Sequence, residues 1–419
     1  MAGSPKRKCD LPPLPLIAST QMHNHTPEKV AILEQIGFSR AILADDEGNR
    51  LQVHFDCGRC EMEICLDGIW MQPCVPDSPL DDNHYIAEPC ATTFHSEVSY
   101  MAEEVFQDIY RIESPLPRNP LRAINSYVIR GGDRFLMVDT GMNRPECSEV
   151  MRASLKELAV DLRRTDFFIT HGHADHIGLV SELKTGGSKI FLHPADASFI
   201  RNPSLWSDMA AAARVHGFPN PDSAIEKHPG RRYLFNGQPD FTFLREGDTL
   251  PIGTYGFRCV ETPGHTPGHM CLYEPKAKIF FSGDHILDTI TPNISGWDSN
   301  ADPLGEFFES LDKIAAYEIA LVFPAHRNPI SDPLRRIGEL KEHHRVRMDE
   351  VLRILARGAQ TAYQVASQMT WNIDRDRWED FPVPQQWFAT GEALSHLLHL
   401  EQIGRIRRIL QEGRAVFSL

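Results

Sequence analysis

The densest group of chemically reactive side chains in this 419-residue sequence lies between residues 170 and 178. Three histidines and one aspartate fall within six positions there, directly after an apolar segment: His171, His173, Asp175 and His176. Imidazole and carboxylate groups are the usual ligands of Zn²⁺ and other divalent first-row metals. On an extended strand end His171 and His173 point the same way, whereas Asp175 and His176 fall on the following turn. This one segment can therefore supply ligands to two adjacent metal ions.

Three further segments end an apolar run with a ligand-type side chain in a turn that contains Gly or Pro. They span residues 262–269, 281–285 and 323–326 and contribute His265, Asp284 and His326 as candidate ligands. Loops at strand ends are where a rigid scaffold presents catalytic groups. Each segment alone is weak evidence for a metal site, but the four together predict one.

The elements around these segments divide the chain into three predicted parts. Residues 1–100 hold six cysteines and form a small Cys-containing N-terminal module. Residues 101–335 mix apolar strands, such as 134–138, with helices, such as 144–158, which is typical of an α/β domain. Residues 336–419 contain helical patterns at 339–355, 361–369 and 391–400, followed by a hairpin at the chain end. Three helices and a terminal hairpin predict a winged-helix domain.

Composition and charge restrict the class of protein. The chain has 43 basic and 57 acidic side chains, a formal charge of −14, which on average repels a nucleic acid. The sequence contains no apolar run of the roughly 18 residues that a membrane-spanning helix requires. The apolar residues 11–17 are interrupted by prolines, so they cannot form the core of a signal peptide. These features predict a cytoplasmic protein with no membrane partner.

The four ligand segments, together with Val138-Asp139-Thr140-Gly141, resemble the metallo-β-lactamase-fold hydrolases over roughly residues 105–330. The resemblance implies an αββα sandwich with two metal ions, expected as zinc with iron or manganese as alternatives, at one edge of two facing sheets. One ion would take His171, His173 and His265, the other Asp175, His176 and His326, and Asp284 would bridge them. Asp139 would lie near the site without binding a metal. Asp284 in place of a cysteine argues against a true β-lactamase.

This ligand set predicts metal-dependent hydrolysis. Two close divalent ions bring the pKa of a bridging water towards neutrality, so hydroxide forms at pH 7 and attacks the substrate. Asp175 is the expected catalytic residue, which orients the hydroxide and carries its proton. His269 and His285 are expected either to form hydrogen bonds around the ligands or to contact substrate. Arg327 either contacts an anionic substrate or lies at the surface.

The expected reaction is hydrolysis of a small-molecule thioester or ester, similar to that of glyoxalase II or an acyl-CoA thioesterase. Residues 262–269 resemble the glyoxalase II motif, and the insert at 195–237 could build a pocket over the metals. Five residues of that insert could line an acyl site or merely cover the core: Trp206, Met209, His216, Phe218 and Tyr233.

Two other functions stay open because the C-terminal pattern resembles the winged-helix tail of a β-lactamase-like subgroup that includes an endoribonuclease. One is a metal-dependent endoribonuclease or phosphodiesterase, with RNA as its partner. The other is a winged-helix nucleic-acid-binding protein with a structural metal site. Arg405, Arg407, Arg408 and Arg414 could meet a phosphate or form a solvated hairpin face. A homodimer is a further open alternative.

The N-terminal module offers a second candidate site for a metal. Cys57 and Cys60 form a Cys-x-x-Cys pair, and Cys65 and Cys74 follow, so the four thiols could hold zinc or an iron–sulfur cluster. The alternative is a small β-rich domain with half-buried free cysteines. Residues 19–43 bear a short resemblance to a fragment of the collagenase-like peptidase family.

Overall fold

The computed structural model describes residues 42–45, 51–54, 102–117, 119–237, 239–373, 375 and 377–419. The chain divides into two units, residues 1–95 and residues 96–419. In the first unit, β1 (Ile42–Asp45) and β2 (Leu51–His54) pair as an antiparallel hairpin. The predicted metal or iron–sulfur site at Cys57, Cys60, Cys65 and Cys74 lies outside the described residues.

The larger unit is built around two β-sheets. The first sheet has seven strands in the order of the chain, antiparallel from β3 to β6 and parallel from β6 to β9. The second has five, antiparallel from β10 to β13, with β14 parallel to β13. The strands of the first sheet are β3 (Glu103–Phe106), β4 (Ile109–Pro115), β5 (Ala123–Gly131), β6 (Arg134–Val138), β7 (Thr165–Phe168), β8 (Ile190–Leu192) and β9 (Thr242–Phe243). Those of the second are β10 (Thr249–Ile252), β11 (Tyr255–Glu261), β12 (Met270–Glu274), β13 (Ile279–Gly283) and β14 (Leu321–Pro324).

The two sheets pack face to face and share one apolar core. Tyr127 of the first sheet meets Phe281 of the second with ring centroids 5.1 Å apart, and both side chains are buried. Helices cover the outer faces. On the first sheet lie α1 (Pro145–Glu157), α2 (Ala174–Ile177) and α3 (Val180–Leu183). On the second lies α8 (Pro303–Ala315), which begins at Asp302 with the carboxylate accepting from Gly305 N. The predicted αββα sandwich is confirmed.

The insert between β8 and β9 is helical. It contains α4 (Pro194–Arg201), α5 (Leu205–Val215), α6 (Pro221–Glu226) and α7 (Pro229–Arg232). Helices α5 and α6 share a buried apolar cluster with the C-terminal elements of the chain. The insert therefore packs on the C-terminal segment as well as on the sandwich.

The C-terminal segment consists of three helices and a hairpin, in the predicted order. The helices are α9 (Pro333–Leu355), α10 (Ala362–Ala366) and α11 (Val383–Gln402). Strands β15 (Arg407–Gln411) and β16 (Arg414–Ser418) form the antiparallel hairpin. Its identity as a winged-helix domain, and the boundary at residue 335, stay predictions. None of the helices in the described part of the chain has the length and apolarity to cross a membrane.

Candidate metal centre

The four ligand segments meet because each directly follows a strand. Residues 170–176 follow β7 of the first sheet. In the second sheet, β11, β13 and β14 all run in the same direction, so the loops after them lie at one edge. These loops carry His265, Asp284 and His326, and all the predicted ligands therefore converge.

One group of nitrogen atoms belongs to His171, His173 and His265. His171 Nε2 lies 2.9 Å from His173 Nδ1, and His265 Nε2 lies 3.2 Å and 3.0 Å from these two atoms. His171 is fully buried, and 8% of the His265 surface is exposed. Three imidazole nitrogens aimed at one point are a donor set that a divalent ion fits.

The second group contains Asp175, His176 and His326. Asp175 Oδ2 lies 3.9 Å from His176 Nε2 and 3.6 Å from His326 Nε2. Both histidines are fully buried, whereas the Asp175 side chain is 13% exposed. Asp175 is thus the member of this group that reaches the surface.

Asp284 lies between the two groups. Its Oδ2 is 3.5 Å from His265 Nε2, while its Oδ1 is 3.6 Å from His176 Nε2 and 3.5 Å from His326 Nε2. The two oxygens of one carboxylate thus face different sets of histidines. This is the arrangement required of a bridging ligand.

Buried polar atoms that lack a hydrogen-bond partner indicate whether a metal would fit this site. Of the eleven buried side-chain atoms without a hydrogen-bond partner among the described residues, three lie together in this site: His176 Nε2, His326 Nε2 and Asp284 Oδ1. A buried polar group without a partner carries a desolvation cost that a coordinated cation removes. The residues present therefore fit divalent ions.

The pKa values of His171, His173 and Asp284 shift in the direction that metal binding requires, whereas Asp139, Asp284 and Asp175 raise the pKa of His176 against the effect of burial. Burial, reinforced by the neighbouring imidazoles, holds the pKa of His171 and of His173 well below its ordinary value. These rings are therefore neutral near pH 7 and keep a lone pair for a metal. Burial opposes ionisation of Asp284, but His326 and His176 outweigh it and hold the pKa of that carboxyl well below its usual range.

Asp139 and Thr170 contact two of the histidines at the ring nitrogens that do not point into the site. Asp139 Oδ2 lies 2.7 Å from His176 Nδ1, so Nε2 of that ring is left for the site. The Thr170 hydroxyl donates to Asp139 Oδ2 at 2.9 Å, and its oxygen is 3.1 Å from His171 Nδ1. Asp139 has a φ of 56°, which aspartate tolerates better than most residues. Asp139 therefore contacts the ring of a candidate ligand, His176, through the nitrogen opposite the site, and its supporting role stays a prediction.

Two other candidate ligands, His326 and Asp284, are bonded to a backbone carbonyl and to His269 respectively. His326 Nδ1 donates to the carbonyl of Ala123 at 2.6 Å, which leaves its Nε2 for the site. His269 Nε2 accepts from Asp284 N at 3.1 Å, and its Nδ1 is bonded to the Thr262 hydroxyl at 2.7 Å. His269 is fully buried, so of its two predicted roles the structure places it in hydrogen bonds around a ligand.

His285 and Arg327 make their observed contacts with neighbouring groups of the protein. His285 is fully buried, with its ring 5.2 Å from that of Phe307. The Arg327 guanidinium donates to the carbonyls of Leu121 at 2.6 Å and Pro120 at 3.0 Å. Arg327 thus holds the loop of residues 120–121, and which of its two predicted roles applies stays a prediction.

The insert residues separate into two groups. His216 and Phe218 are buried against the C-terminal elements: His216 stacks on Phe417, and Phe218 contacts Trp387. They serve as apolar cover. Trp206, Met209 and Tyr233 are half-buried at the edges of the apolar clusters and stay candidates for an acyl site.

Asp196 is a site residue that the sequence analysis missed. Its buried carboxylate accepts from Gly172 N and Gly268 N, both at 2.7 Å, and from the Thr266 hydroxyl at 2.8 Å. Gly172 lies between two candidate ligands, and Thr266 and Gly268 belong to the loop of His265. Burial raises the pKa of Asp196 although these donors lower it. In the sequence, nothing distinguishes Asp196 from any other acidic residue in the first turn of a helix.

Comparison with known proteins defines the class. The family model described as "Metallo-beta-lactamase superfamily" matches residues 119–326. A beta-lactamase domain protein from Burkholderia ambifaria is 27% identical, with a TM-score of 0.67, over 79% of this chain and 97% of its own. A metallo-beta-lactamase family protein from Thermus thermophilus is 26% identical, with a TM-score of 0.65, over 75% of this chain and 99% of its own.

Two relatives carry names that describe an activity. An atrochrysone carboxyl ACP thioesterase of Emericella nidulans is 29% identical over 248 residues, which are 59% of this chain and 65% of that protein. The probable metallo-hydrolase YqjP of Bacillus subtilis is 26% identical over 277 residues, 63% of this chain and 85% of that protein. The chain therefore matches slightly less than two thirds of the thioesterase.

These findings identify the class of the protein. Residues 119–326 belong to the metallo-β-lactamase superfamily, and the predicted class of metal-dependent hydrolase is confirmed.

Proposed function

We propose that this protein hydrolyses a small acyl thioester, or an ester of similar shape, at a centre of two zinc ions. His171, His173 and His265 would hold one ion, and Asp175, His176 and His326 the other. The observation that carries the proposal is Asp284, whose two carboxylate oxygens lie 3.5–3.6 Å from different histidine sets. A single structural ion would need only one closed set of four ligands.

The bound ions would activate a water molecule and polarise the carbonyl that it attacks. The chain's own contribution is proton transfer at Asp175, the most exposed carboxylate of the centre. The oxygen of water bonds to the acyl carbon, the carbon–sulfur bond breaks, and Asp175 passes the proton to the leaving thiolate. The products are a carboxylic acid and a thiol.

The described cysteines do not offer a competing nucleophile. Burial raises the pKa of Cys147 to about 11 and that of Cys259 and Cys271 to about 12. All three are buried thiols at neutral pH, and the thiolate is the reactive form. Water is therefore the attacking group that this geometry supports.

The choice of a thioester draws on the thioesterase relative, which is 29% identical to this chain over 248 residues. The C-terminal helix favours an enzyme over a nucleic-acid-binding protein. Six consecutive residues of α11, from Ala393 to Leu398, are buried, and six residues cover every side of a helix. This stretch of α11 therefore has no free face to insert into a nucleic-acid groove. RNA as a partner, a homodimer and a cytoplasmic location stay predictions.

The test combines metal content with turnover on the full-length protein. Plasma emission should find two zinc ions per chain, and a panel of acyl-CoA thioesters should be cleaved. Asp175→Ala should lower kcat by about 10²–10⁴-fold, the usual contribution of a positioned acid–base group. Asp166→Ala is the control, because it removes a carboxylate on β7, away from the centre, that accepts from Lys189 N and pairs with Arg134.

Other outcomes overturn parts of the proposal. Cleavage of a short single-stranded RNA with no thioester turnover would replace the substrate class. The absence of bound metal and of turnover after reconstitution with Zn²⁺ would overturn the proposed centre. Thioester turnover that is unchanged in Asp175→Ala would remove the role of Asp175.

A further inference from the structure

The loop that orients His265 has no regular structure of its own. Residues 284–302, all of them described, contain neither helix nor strand. His265 Nδ1 lies 2.9 Å from the carbonyl oxygen of Asn293 in this loop and donates to it, since a carbonyl can only accept. The bond fixes the tautomer and leaves Nε2 of His265 for the metal. The position of Asn293 therefore sets the orientation of a proposed ligand.

The same loop is held from outside by the C-terminal segment. The guanidinium of Arg336, on α9, donates to the carbonyls of Leu287 at 2.7 Å and Ile290 at 2.8 Å. Trp387, on α11, packs against Trp297 with ring centroids 4.4 Å apart. The loop thus takes its shape from residues that follow the sandwich in the chain.

Glu392 of α11 connects this packing to Asn293. Its Oε2 accepts from Asn293 Nδ2 at 3.0 Å, and its side chain is only 14% exposed. Arg347 Nε lies 3.9 Å from the other carboxylate oxygen, and the Arg347 guanidinium stacks over Trp371. A carboxylate accepts a stronger hydrogen bond than a neutral group does. Glu392 is therefore suited to hold the Asn293 side chain in one place.

We infer that Glu392 is a positioning residue for the metal centre, acting on His265 through Asn293. The C-terminal segment then helps to position the metal centre, in addition to any binding role of its own. The inference rests on the proposed function, because it takes His265 as a metal ligand. Glu392 is not one of the proposed metal ligands, so its effect should fall on metal affinity more than on the chemical step.

The test measures Zn²⁺ binding to the metal-free full-length protein by competition with a chromophoric chelator. His265→Ala identifies the binding step that involves His265. Glu392→Ala should raise the dissociation constant of that step by about 10-fold or more, the usual effect of losing an outer hydrogen-bond partner. Asn293→Ala should do the same, because it removes the amide but keeps the carbonyl. Glu392→Gln, which retains an acceptor oxygen but a weaker, neutral one, should recover part of the affinity.

Leu398→Ala is the matched control on the same helix. Leu398 is buried in the apolar cluster of the C-terminal segment, so its truncation should lower stability without changing the Zn²⁺ dissociation constant. Wild-type affinity in both Glu392→Ala and Asn293→Ala would overturn the inference. So would a loss of affinity in Leu398→Ala as large as that in Glu392→Ala. If His265→Ala changes no binding step, the proposed metal centre fails instead.

Discussion

Asp196 joins two of the ligand segments, and its removal should separate them. In Asp196→Ala the buried N–H groups of Gly172 and Gly268 lose their acceptor, as does the Thr266 hydroxyl. A buried donor left without a partner costs about 1–3 kcal/mol, so the two N–H groups together should lower the free energy of unfolding by about 2–6 kcal/mol. Because these groups flank His171, His173 and His265, the Zn²⁺ dissociation constant should rise by about 10–100-fold.

The assay pairs urea unfolding with Zn²⁺ titration of the metal-free protein. Thr266→Val removes one of the three bonds and should give a smaller loss on both measurements. Asp166→Ala is the control, since its carboxylate also accepts from a backbone N–H, that of Lys189 at 2.8 Å, and pairs with Arg134. If Asp196→Ala loses stability but binds Zn²⁺ as tightly as the wild type, the reasoning about ligand positioning is refuted.

Three further predictions concern packing, pH and metal removal. Gly268→Ala should lower the free energy of unfolding, measured in urea, by about 1–3 kcal/mol, because the new Cβ would lie 2.7 Å from Asp196 N and 2.8 Å from His193 Nδ1. Unchanged stability would contradict this close approach. Burial lowers the pKa of His216 to about 4 from an ordinary 6.5, so the unfolded chain binds the proton first and stability falls as the pH drops from 6.5 towards 4. Between pH 7 and pH 5 the shifted pKa of His216 should lower the free energy of unfolding by about 2 kcal/mol. The stability of His216→Gln should therefore depend less steeply on pH than that of the wild type. Removal of the metal with a chelator should lower Tm, since Zn²⁺ at about 1,000 times its dissociation constant adds about 4 kcal/mol to the free energy of unfolding. If the Tm of His173→Ala falls by the same amount on chelation, His173 is not a ligand.

The sequence predicted the parts of the fold whose signal is local. The run at 134–138 coincides with β6 (Arg134–Val138), and the helix expected at 144–158 is α1 (Pro145–Glu157). In each case an apolar periodicity is set by residues that are neighbours in the chain. The ligand segments were visible for the same reason, because several metal-binding side chains fall together in one turn after a strand.

The contacts that the sequence did not reveal join distant residues. His216 and Phe218 looked equally suited to an acyl site or to the core until Phe417 and Trp387 were found packed against them. Arg327 looked free to meet an anion, but its guanidinium is bound by carbonyls about 200 residues earlier in the chain. A side chain's partner depends on which elements the sheets bring together, and no local pattern encodes that.

The sequence by itself determined the chemistry of the centre: which residues can bind a metal, in what order, and after which strands. The tertiary structure decided how those residues are held. Asp196 accepts hydrogen bonds from two ligand loops, and Asp139 is bonded to His176. Glu392 accepts from the side chain of Asn293, whose backbone carbonyl orients His265. The physical reason is that ligand chemistry resides in single side chains, whereas their orientation comes from hydrogen bonds between segments that only folding brings into contact.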